Sequence, residues 1–107
     1  MEKQEQRIAI AEACGYKFKW CPYHGFDSWH NEGGICINNT GLGGRGFPDY
    51  LNDLNAMHEA EKVLAGEDRF TYWHKLNDIV LGTVHVAFAT AAQRAEAFLK
   101  TLNLWID

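Results

Sequence analysis

Residues 47–66, which read FPDYLNDLNAMHEAEKVLAG, constrain the fold of this chain more than any other stretch. Pro48 suits the first turn of a helix because its φ is already near the helical value and it has no N–H to lose. At about 100° per residue, most apolar side chains of the stretch fall on one broad face. Gly66 can take the left-handed conformation that ends a helix. The pattern predicts one amphipathic helix around which the rest of the chain is arranged.

Glu61 falls in the middle of this apolar face, where a charged side chain is unexpected. In the simpler interpretation it lies at the margin of the core and bonds a tyrosine, a tryptophan N–H or a backbone donor. In the alternative it is a catalytic or ligand-binding carboxylate with a raised pKa. The simpler interpretation is favoured because the sequence identifies no catalytic partner for Glu61.

Length and charge exclude several classes of protein. A chain of 107 residues forms a single domain, 1–107, with a modest core. Fourteen acidic against ten basic residues give a formal charge of −4, so a nucleic-acid partner is not expected. No run has the length of a membrane span, and the polar N-terminus does not resemble a signal peptide. Three cysteines without an export signal favour free thiols in the cytoplasm. The oligomeric state stays open, with a dimer among the options.

Before the long helix, the sequence predicts a first helix at residues 2–14, ended by Gly15. The alternation of aromatic residues with lysine in residues 16–20 is typical of a strand with one buried face. An irregular segment rich in glycine and aromatic residues follows at about 21–46, with a short strand expected at 34–38.

After the long helix, residues 69–76 and 83–89 both alternate between two faces, which predicts two strands joined by a turn. Thr90 and Gln93 fit a reciprocal capping box at the start of a last helix, and Asn103 can end it. The fold class predicted from this order is α+β: an α–β–α layered sandwich with three helices around a mainly antiparallel sheet.

Three blocks of the sequence resemble a known family. They are RIAIAEACGY at 7–16, PDYLNDLNAMHEAEKVL at 48–64 and ATAAQRAEAFLKTLNLW at 89–105. These blocks are similar to small phage and prophage proteins of the phage ABA sandwich domain family. The resemblance implies an α–β–α layered domain encoded by a phage or prophage, with no established activity, so it assigns no catalytic residue.

Four residues of the irregular segment have side chains that bind metals: Cys21, His24, His30 and Cys36. Tetrahedral zinc takes four sulfur or imidazole ligands, and the Cys-x2-His pair has a workable chelate spacing. A segment with little local core also gains most from a metal ion. The other spacings match no standard zinc finger, so free thiols and surface histidines are the competing interpretation.

A glycine loop, residues 41–46, satisfies the pattern GxGxxG after a predicted strand and before a helix. Bare amides and a basic side chain there could hold an anion such as a nucleotide. The candidate residues are Gly41, Gly43, Gly44, Arg45 and Gly46. No second nucleotide-binding half exists in so short a chain, and a plain surface loop is the alternative.

Aromatic side chains are concentrated in and around the same irregular segment. Aromatic residues on glycine-rich loops often anchor protein interfaces, although some of these rings must simply pack the edge of the core. The candidate interface residues are Trp20, Tyr23, Phe26, Asp27, Trp29 and Phe47. No spacing indicates a Cys–His nucleophilic pair, so an enzyme is not expected.

The function predicted from these features is that of a non-enzymatic, phage-encoded binding protein. We expect an inhibitor of a bacterial anti-phage defence system, comparable to an anti-CRISPR protein, that acts on a host defence protein. The first alternative is a module that sequesters a nucleotide or another small molecule in the glycine loop. The second alternative is a structural or replication accessory of the phage. No cofactor is required by the first of these functions, and zinc is the one metal that the sequence suggests.

Overall fold

The computed structural model describes residues 1–23, 25–36, 48–80 and 86–106. Over these residues the fold is α+β, with four α-helices and a two-stranded antiparallel sheet. In chain order the elements are α1 (Lys3–Ala13), β1 (Lys17–Cys21), β2 (Phe26–His30), α2 (Leu54–Glu61), α3 (Glu67–Val80), a 3₁₀ turn (Val86–Phe88) and α4 (Ala91–Thr101). None of the described helices is both long enough and apolar enough to cross a membrane.

Helix α4 is the element on which the other helices pack. It contacts α1, α2 and α3, and its Phe98 and Leu99 are fully buried in the core. The predicted capping box is confirmed, because Thr90 Oγ1 accepts from the Gln93 amide at 3.1 Å while the Gln93 side chain accepts from the Thr90 amide at 2.9 Å. Asn103 follows with φ of 60°, as expected for a helix stop. The last helix, rather than the stretch at 47–66, therefore organises the core.

The stretch predicted as one long helix is helical only from Leu54 to Glu61 among its described residues. Asp53 is extended, and its side chain accepts hydrogen bonds from the amides of Asn55 at 3.0 Å and Ala56 at 3.4 Å. An aspartate that caps a helix in this way cannot also continue a helix from the preceding turn. Gly66 has φ of 58°, which confirms its predicted left-handed conformation.

The strand predicted at 69–76 is wrong, because these residues belong to helix α3. Tyr72, Leu76 and Val80 are buried at intervals of four residues, which is the helical period. Phe70, which a strand would bury beside Tyr72, is exposed. Of the strand predicted at 83–89, residues 83–85 lie outside the described residues and Val86–Phe88 forms a 3₁₀ turn. The described chain therefore has more helix and less sheet than the predicted three-helix sandwich.

Strands β1 and β2 form a hairpin in which Phe18 faces Trp29 and Cys21 faces Phe26. The strand predicted at 16–20 is thus confirmed with its bounds moved by one residue, but its aromatic face is not buried as predicted, because Phe18 and Trp20 are exposed. The expected strand at 34–38 is reduced, in its described part, to a single bridge between Cys36 and His30. Tyr16 and Trp29 pack against the helical core and attach the hairpin to it.

Candidate metal site

The interior of the hairpin is formed by polar side chains. Within β1 and β2, the buried residues are Cys21, Ser28 and His30. The strand register places all three on one face, since Lys19 lies opposite Ser28 and side chains alternate along each strand. This small hairpin therefore covers a thiol, a hydroxyl and an imidazole where a hairpin of its size would ordinarily bury apolar side chains.

A third ligand-type side chain reaches this interior from the segment after β2. The bridge between His30 and Cys36 returns the chain to the hairpin, and the amide of Asn31 donates to the Ile35 carbonyl at 2.9 Å. As a result, the ligand atoms of Cys21, His30 and Cys36 all lie within 4.8 Å of one another. Residues that are distant in sequence are thus assembled into one cluster of two sulfurs and one imidazole.

The orientation of His30 is fixed by the backbone. Its Nδ1 lies 2.9 Å from the Ser28 carbonyl oxygen, which can only accept a hydrogen bond, so Nδ1 carries the proton. In the neutral ring this leaves the lone pair on Nε2. A histidine that binds a metal through one nitrogen commonly donates its other N–H to a backbone carbonyl, and His30 already has this arrangement.

The structure therefore brings together three of the four metal ligands predicted from the sequence. Cys21, His30 and Cys36 form the cluster, which could hold a metal ion. His24 lies outside the described residues. The predicted anion-binding loop, with Gly41, Gly43, Gly44, Arg45 and Gly46, also lies outside them, as does Phe47.

The predicted interface residues differ in their surroundings. Trp20 and Tyr23 expose 60% and 91% of their surface, and Phe26 and Asp27 are exposed as well. Trp29 is half-buried against the helical core, so part of its role is structural. Phe18 was missed by the sequence reasoning, although its alternation with Trp20 puts both on the outer face of β1.

The remaining cysteine is a packed thiol. Cys14 follows helix α1 and is partly covered by the core. Burial raises the pKa of the Cys14 thiol, and the nearby Glu32 adds to this, while a hydrogen bond with Tyr50 acts in the opposite direction. A thiol with a raised pKa is a poor nucleophile at neutral pH.

Glu61 is the centre of a second polar cluster, where helices α2, α3 and α4 meet. Its Oε2 accepts from Arg94 Nη1 at 3.0 Å and from the Tyr72 hydroxyl, and its Oε1 accepts from His58 Nδ1 at 2.8 Å. The simpler interpretation of Glu61, a carboxylate at the core margin bonded to a tyrosine, is therefore confirmed. Burial, together with the hydrogen bond to Glu61, raises the pKa of Tyr72.

Arg94 is a residue whose importance the sequence reasoning missed. It is only 5% exposed, and besides Glu61 it bonds the carbonyl oxygens of Ala89 at 3.3 Å and Val86 at 3.1 Å. The signal in the sequence was its position three residues after Ala91, since Arg94 is the one charged residue among the buried residues of α4. A lone arginine on a buried face requires a carboxylate partner, and Glu61 was the other anomaly of the same kind.

No protein-family model, curated protein or solved structure matches this chain.

Proposed function

We propose that this protein is a non-enzymatic binding module whose β-hairpin is held together by a zinc ion. The convergence of Cys21, His30 and Cys36 within 4.8 Å, inside a hairpin without an apolar core, carries this proposal. The zinc ion has a structural role: two of its three ligands are buried, which favours a closed site over an open catalytic one.

The ligand chemistry favours zinc over other metals. Thiolate and imidazole suit zinc, whereas magnesium and calcium require oxygen ligands, and the cluster contains no carboxylate. In a tetrahedral site with Zn–S bonds of about 2.3 Å, two sulfurs lie about 3.8 Å apart. A sulfur and an imidazole nitrogen lie about 3.5 Å apart in such a site, so the distances within the cluster would have to shorten by no more than about 1.3 Å, which a change of side-chain rotamer in Cys21 or Cys36 can supply.

A metal ion would also stabilise the hairpin. An isolated two-stranded hairpin is at best marginally stable in water, and this one buries almost no apolar surface between its strands. Binding of a structural metal contributes directly to the free energy of folding when the ligands come together only in the folded state. Zinc at Cys21, His30 and Cys36 would join both strands to the segment that follows them.

The test is metal analysis of protein purified under reducing conditions with zinc in the growth medium. We expect one equivalent of zinc in the wild-type protein and in Cys14→Ser, which removes a thiol outside the cluster. Cys21→Ser, His30→Ala and Cys36→Ser should each lose the metal. Metal-free wild-type protein after reconstitution with zinc, or equal retention in Cys36→Ser and Cys14→Ser, would contradict the proposal.

The fourth ligand of such a site is tested separately. The sequence predicts His24, and a water molecule is the alternative. If His24 is a ligand, His24→Ala should lower zinc affinity about as strongly as His30→Ala. If water completes the site, His24→Ala should bind zinc like the wild-type protein, and only that part of the sequence prediction fails.

The surface that this hairpin offers to a partner is aromatic. Phe18 and Trp20 lie on the outer face of β1, and Tyr23 projects from the turn with 91% of its surface exposed. Large aromatic side chains dominate the energetics of protein interfaces, and a metal would hold them in place before binding. We therefore expect the partner to be a protein that offers an apolar pocket to Trp20.

The proposed partner, a host defence protein, comes from the sequence resemblance. Expression of the protein in defended bacteria should restore plaque formation by a sensitive phage, and Trp20→Ala should abolish the effect. Phe88→Ala is the matched control, because Phe88 is an aromatic residue outside the hairpin that is even more exposed than Trp20. An absence of rescue across a panel of defence systems would refute this target and leave the zinc site to be judged by its own metal analysis.

A further inference from the structure

A cleft of about 440 Å³ opens where the side chains of α2, α3 and α4 surround Glu61. Its volume is within the range of about 300–1,000 Å³ that is usual for small-molecule sites. The side chains that matter for its chemistry are His58, Glu61, Arg69, Tyr72, Trp73 and Arg94. None of these residues belongs to the hairpin, so this cleft is separate from the proposed zinc site.

The cleft has a positive balance of charge in an acidic protein. Glu61 is the only carboxylate among the described residues that line it, and its charge is compensated by Arg94. Arg69 adds a further positive charge, whereas the whole chain carries a formal charge of −4. A ligand that enters this cleft therefore meets a local excess of positive charge, which favours an anion.

Two side chains of the cleft are anchored at one nitrogen and open at another. Arg69 Nε donates to the Leu64 carbonyl at 2.9 Å, and among the described residues its Nη atoms have no hydrogen-bond partner. His58 Nδ1 is held by Glu61, and its Nε2 has no partner among these residues either. The Leu64 carbonyl thus positions the Arg69 guanidinium, whose Nη–H groups are still available as donors to a ligand, and this lowers the entropy lost on binding.

An aromatic ring forms part of the same cleft. Trp73 is 46% exposed, and it lies one helical turn after Arg69 on α3, so both side chains are on the same side of the helix. Tyr72 supports it, with the two ring centroids 6.2 Å apart. The exposed part of the indole offers a surface on which a planar group can stack.

From this arrangement we infer that the cleft binds a small planar anion of the nucleoside monophosphate type. Its phosphate accepts hydrogen bonds from the free guanidinium nitrogens of Arg69, and its base stacks on Trp73. Guanidinium groups are well suited to phosphate because they donate two parallel hydrogen bonds. The inference does not depend on zinc or on the proposed partner protein.

The test is an NMR titration of the full chain with 5′-AMP, adenosine and inorganic phosphate in parallel. We expect AMP to shift the signals of the Trp73 indole and of the Arg69 and His58 backbone amides, with an affinity at least tenfold higher than that of either fragment. Equal affinity for AMP and phosphate would show that the ring makes no contact. Absence of any shift at these residues with 10 mM AMP would also overturn the inference.

Substitutions locate the ligand within the chain. Arg69→Gln and Trp73→Leu should each weaken AMP binding at least tenfold. Lys75→Gln and Phe70→Leu, which change a cation and an aromatic residue elsewhere on the exposed part of α3, should leave it unchanged. Arg45→Gln tests whether AMP binds instead at the glycine loop, residues 41–46, which the sequence predicts as an anion site. Loss of binding in Arg45→Gln with full binding in Arg69→Gln would overturn the assignment to the cleft.

Discussion

The helical part of the chain and the β-hairpin are stabilised by opposite arrangements of side chains. The helices bury apolar residues such as Met57, Leu76 and Phe98, and place their charged residues mostly outside. The hairpin buries Cys21 and His30 and exposes most of its aromatic rings. Because burial of apolar surface is the main favourable term in folding, the helices need no ligand, whereas the hairpin lacks this source of stability.

The two faces of the hairpin carry different side chains. Phe18 and Trp20 lie on the same face of the hairpin as Trp29, which packs against the helical core, yet both keep more than half of their surface exposed. In the proposed function, these exposed rings bind a partner, and zinc at Cys21, His30 and Cys36 makes the hairpin rigid. Cys21 and His30 lie on the opposite face of the two strands from Phe18 and Trp20.

Phe98→Ala should have the largest effect on the helical part. Phe98 is fully buried at the centre of α4, and truncation of a buried phenylalanine typically costs about 3–5 kcal/mol of unfolding free energy. Denaturation followed by circular dichroism at 222 nm should show this loss. The decrease should be the same with and without a zinc chelator, since the two regions share few contacts.

If Phe98→Ala does not fold, Phe98→Leu is the milder variant, with an expected cost of less than about 1.5 kcal/mol. A loss that doubles when the chelator is added would mean that the hairpin and the helical core are coupled. In that case the two regions could not be treated as independently stabilised.

Arg94→Met should have the next largest effect on stability, because Arg94 is a charged side chain buried among the apolar residues of the helices. It would remove the charged partner of the Glu61 carboxylate and the side-chain donor to the Ala89 and Val86 carbonyl groups, at an expected cost of about 3 kcal/mol. The double variant Arg94→Met/Glu61→Leu should recover part of this loss in urea denaturation. Lys100→Met, which removes the more exposed pair with Glu96 on the same helix, should cost less than about 1 kcal/mol.

The sequence was a reliable guide to the fold where local signals agreed with packing. The capping box of Thr90 and the stop at Asn103 depend on nearby atoms only, and both are confirmed. The strand prediction for residues 69–76 failed because their alternation fits a strand, while the four-residue spacing of Tyr72 and Leu76 also fits a helix. The acidic residues after Gly66, which suit a helix N-terminus, were the evidence that could have decided between them.

In the candidate sites, too, the sequence predicts the residue types, whereas their contacts depend on the fold. Cys21, His30 and Cys36 were predictable as residue types, but their convergence depends on the register of the hairpin and on the return of the chain at Cys36. The pairing of Glu61 with Arg94 joins residues 33 positions apart, and no local pattern contains that information. The sequence marks Glu61 as a charge on an apolar face, whereas the role of Arg94 depends on its contact with Glu61 in the folded chain.

Thiol reactivity should distinguish the two regions directly. At pH 7.5, iodoacetamide should modify Cys14 slowly with or without chelator, since burial raises its pKa and keeps it mostly protonated. Cys21 and Cys36 should be protected while zinc is bound and react at least about tenfold faster after chelation. Peptide mass spectrometry resolves the three sites. Chelator-independent labelling of Cys21 and Cys36 would mean that the hairpin is not held by a metal.

Arg7→Met should have the smallest effect. Arg7 Nε lies 2.8 Å from Asp49 Oδ1 and joins α1 to the turn before α2, but the carboxylate is half-exposed, so the pair should contribute less than about 1 kcal/mol. Hydrogen bonding from Asn52, and the hydrogen bond and charge of Arg7, lower the pKa of Asp49. A lowered pKa stabilises the fold above the pKa of the unfolded chain, about 3.9, and this stabilisation is lost as the pH falls through the folded-state value. Urea denaturation should therefore show a small difference between Arg7→Met and wild type at pH 7 that disappears in acid. A difference that persists in acid would show that the aliphatic stem of Arg7 stabilises the fold by packing. Apolar contacts would then stabilise the helices at their surface as well as in their core.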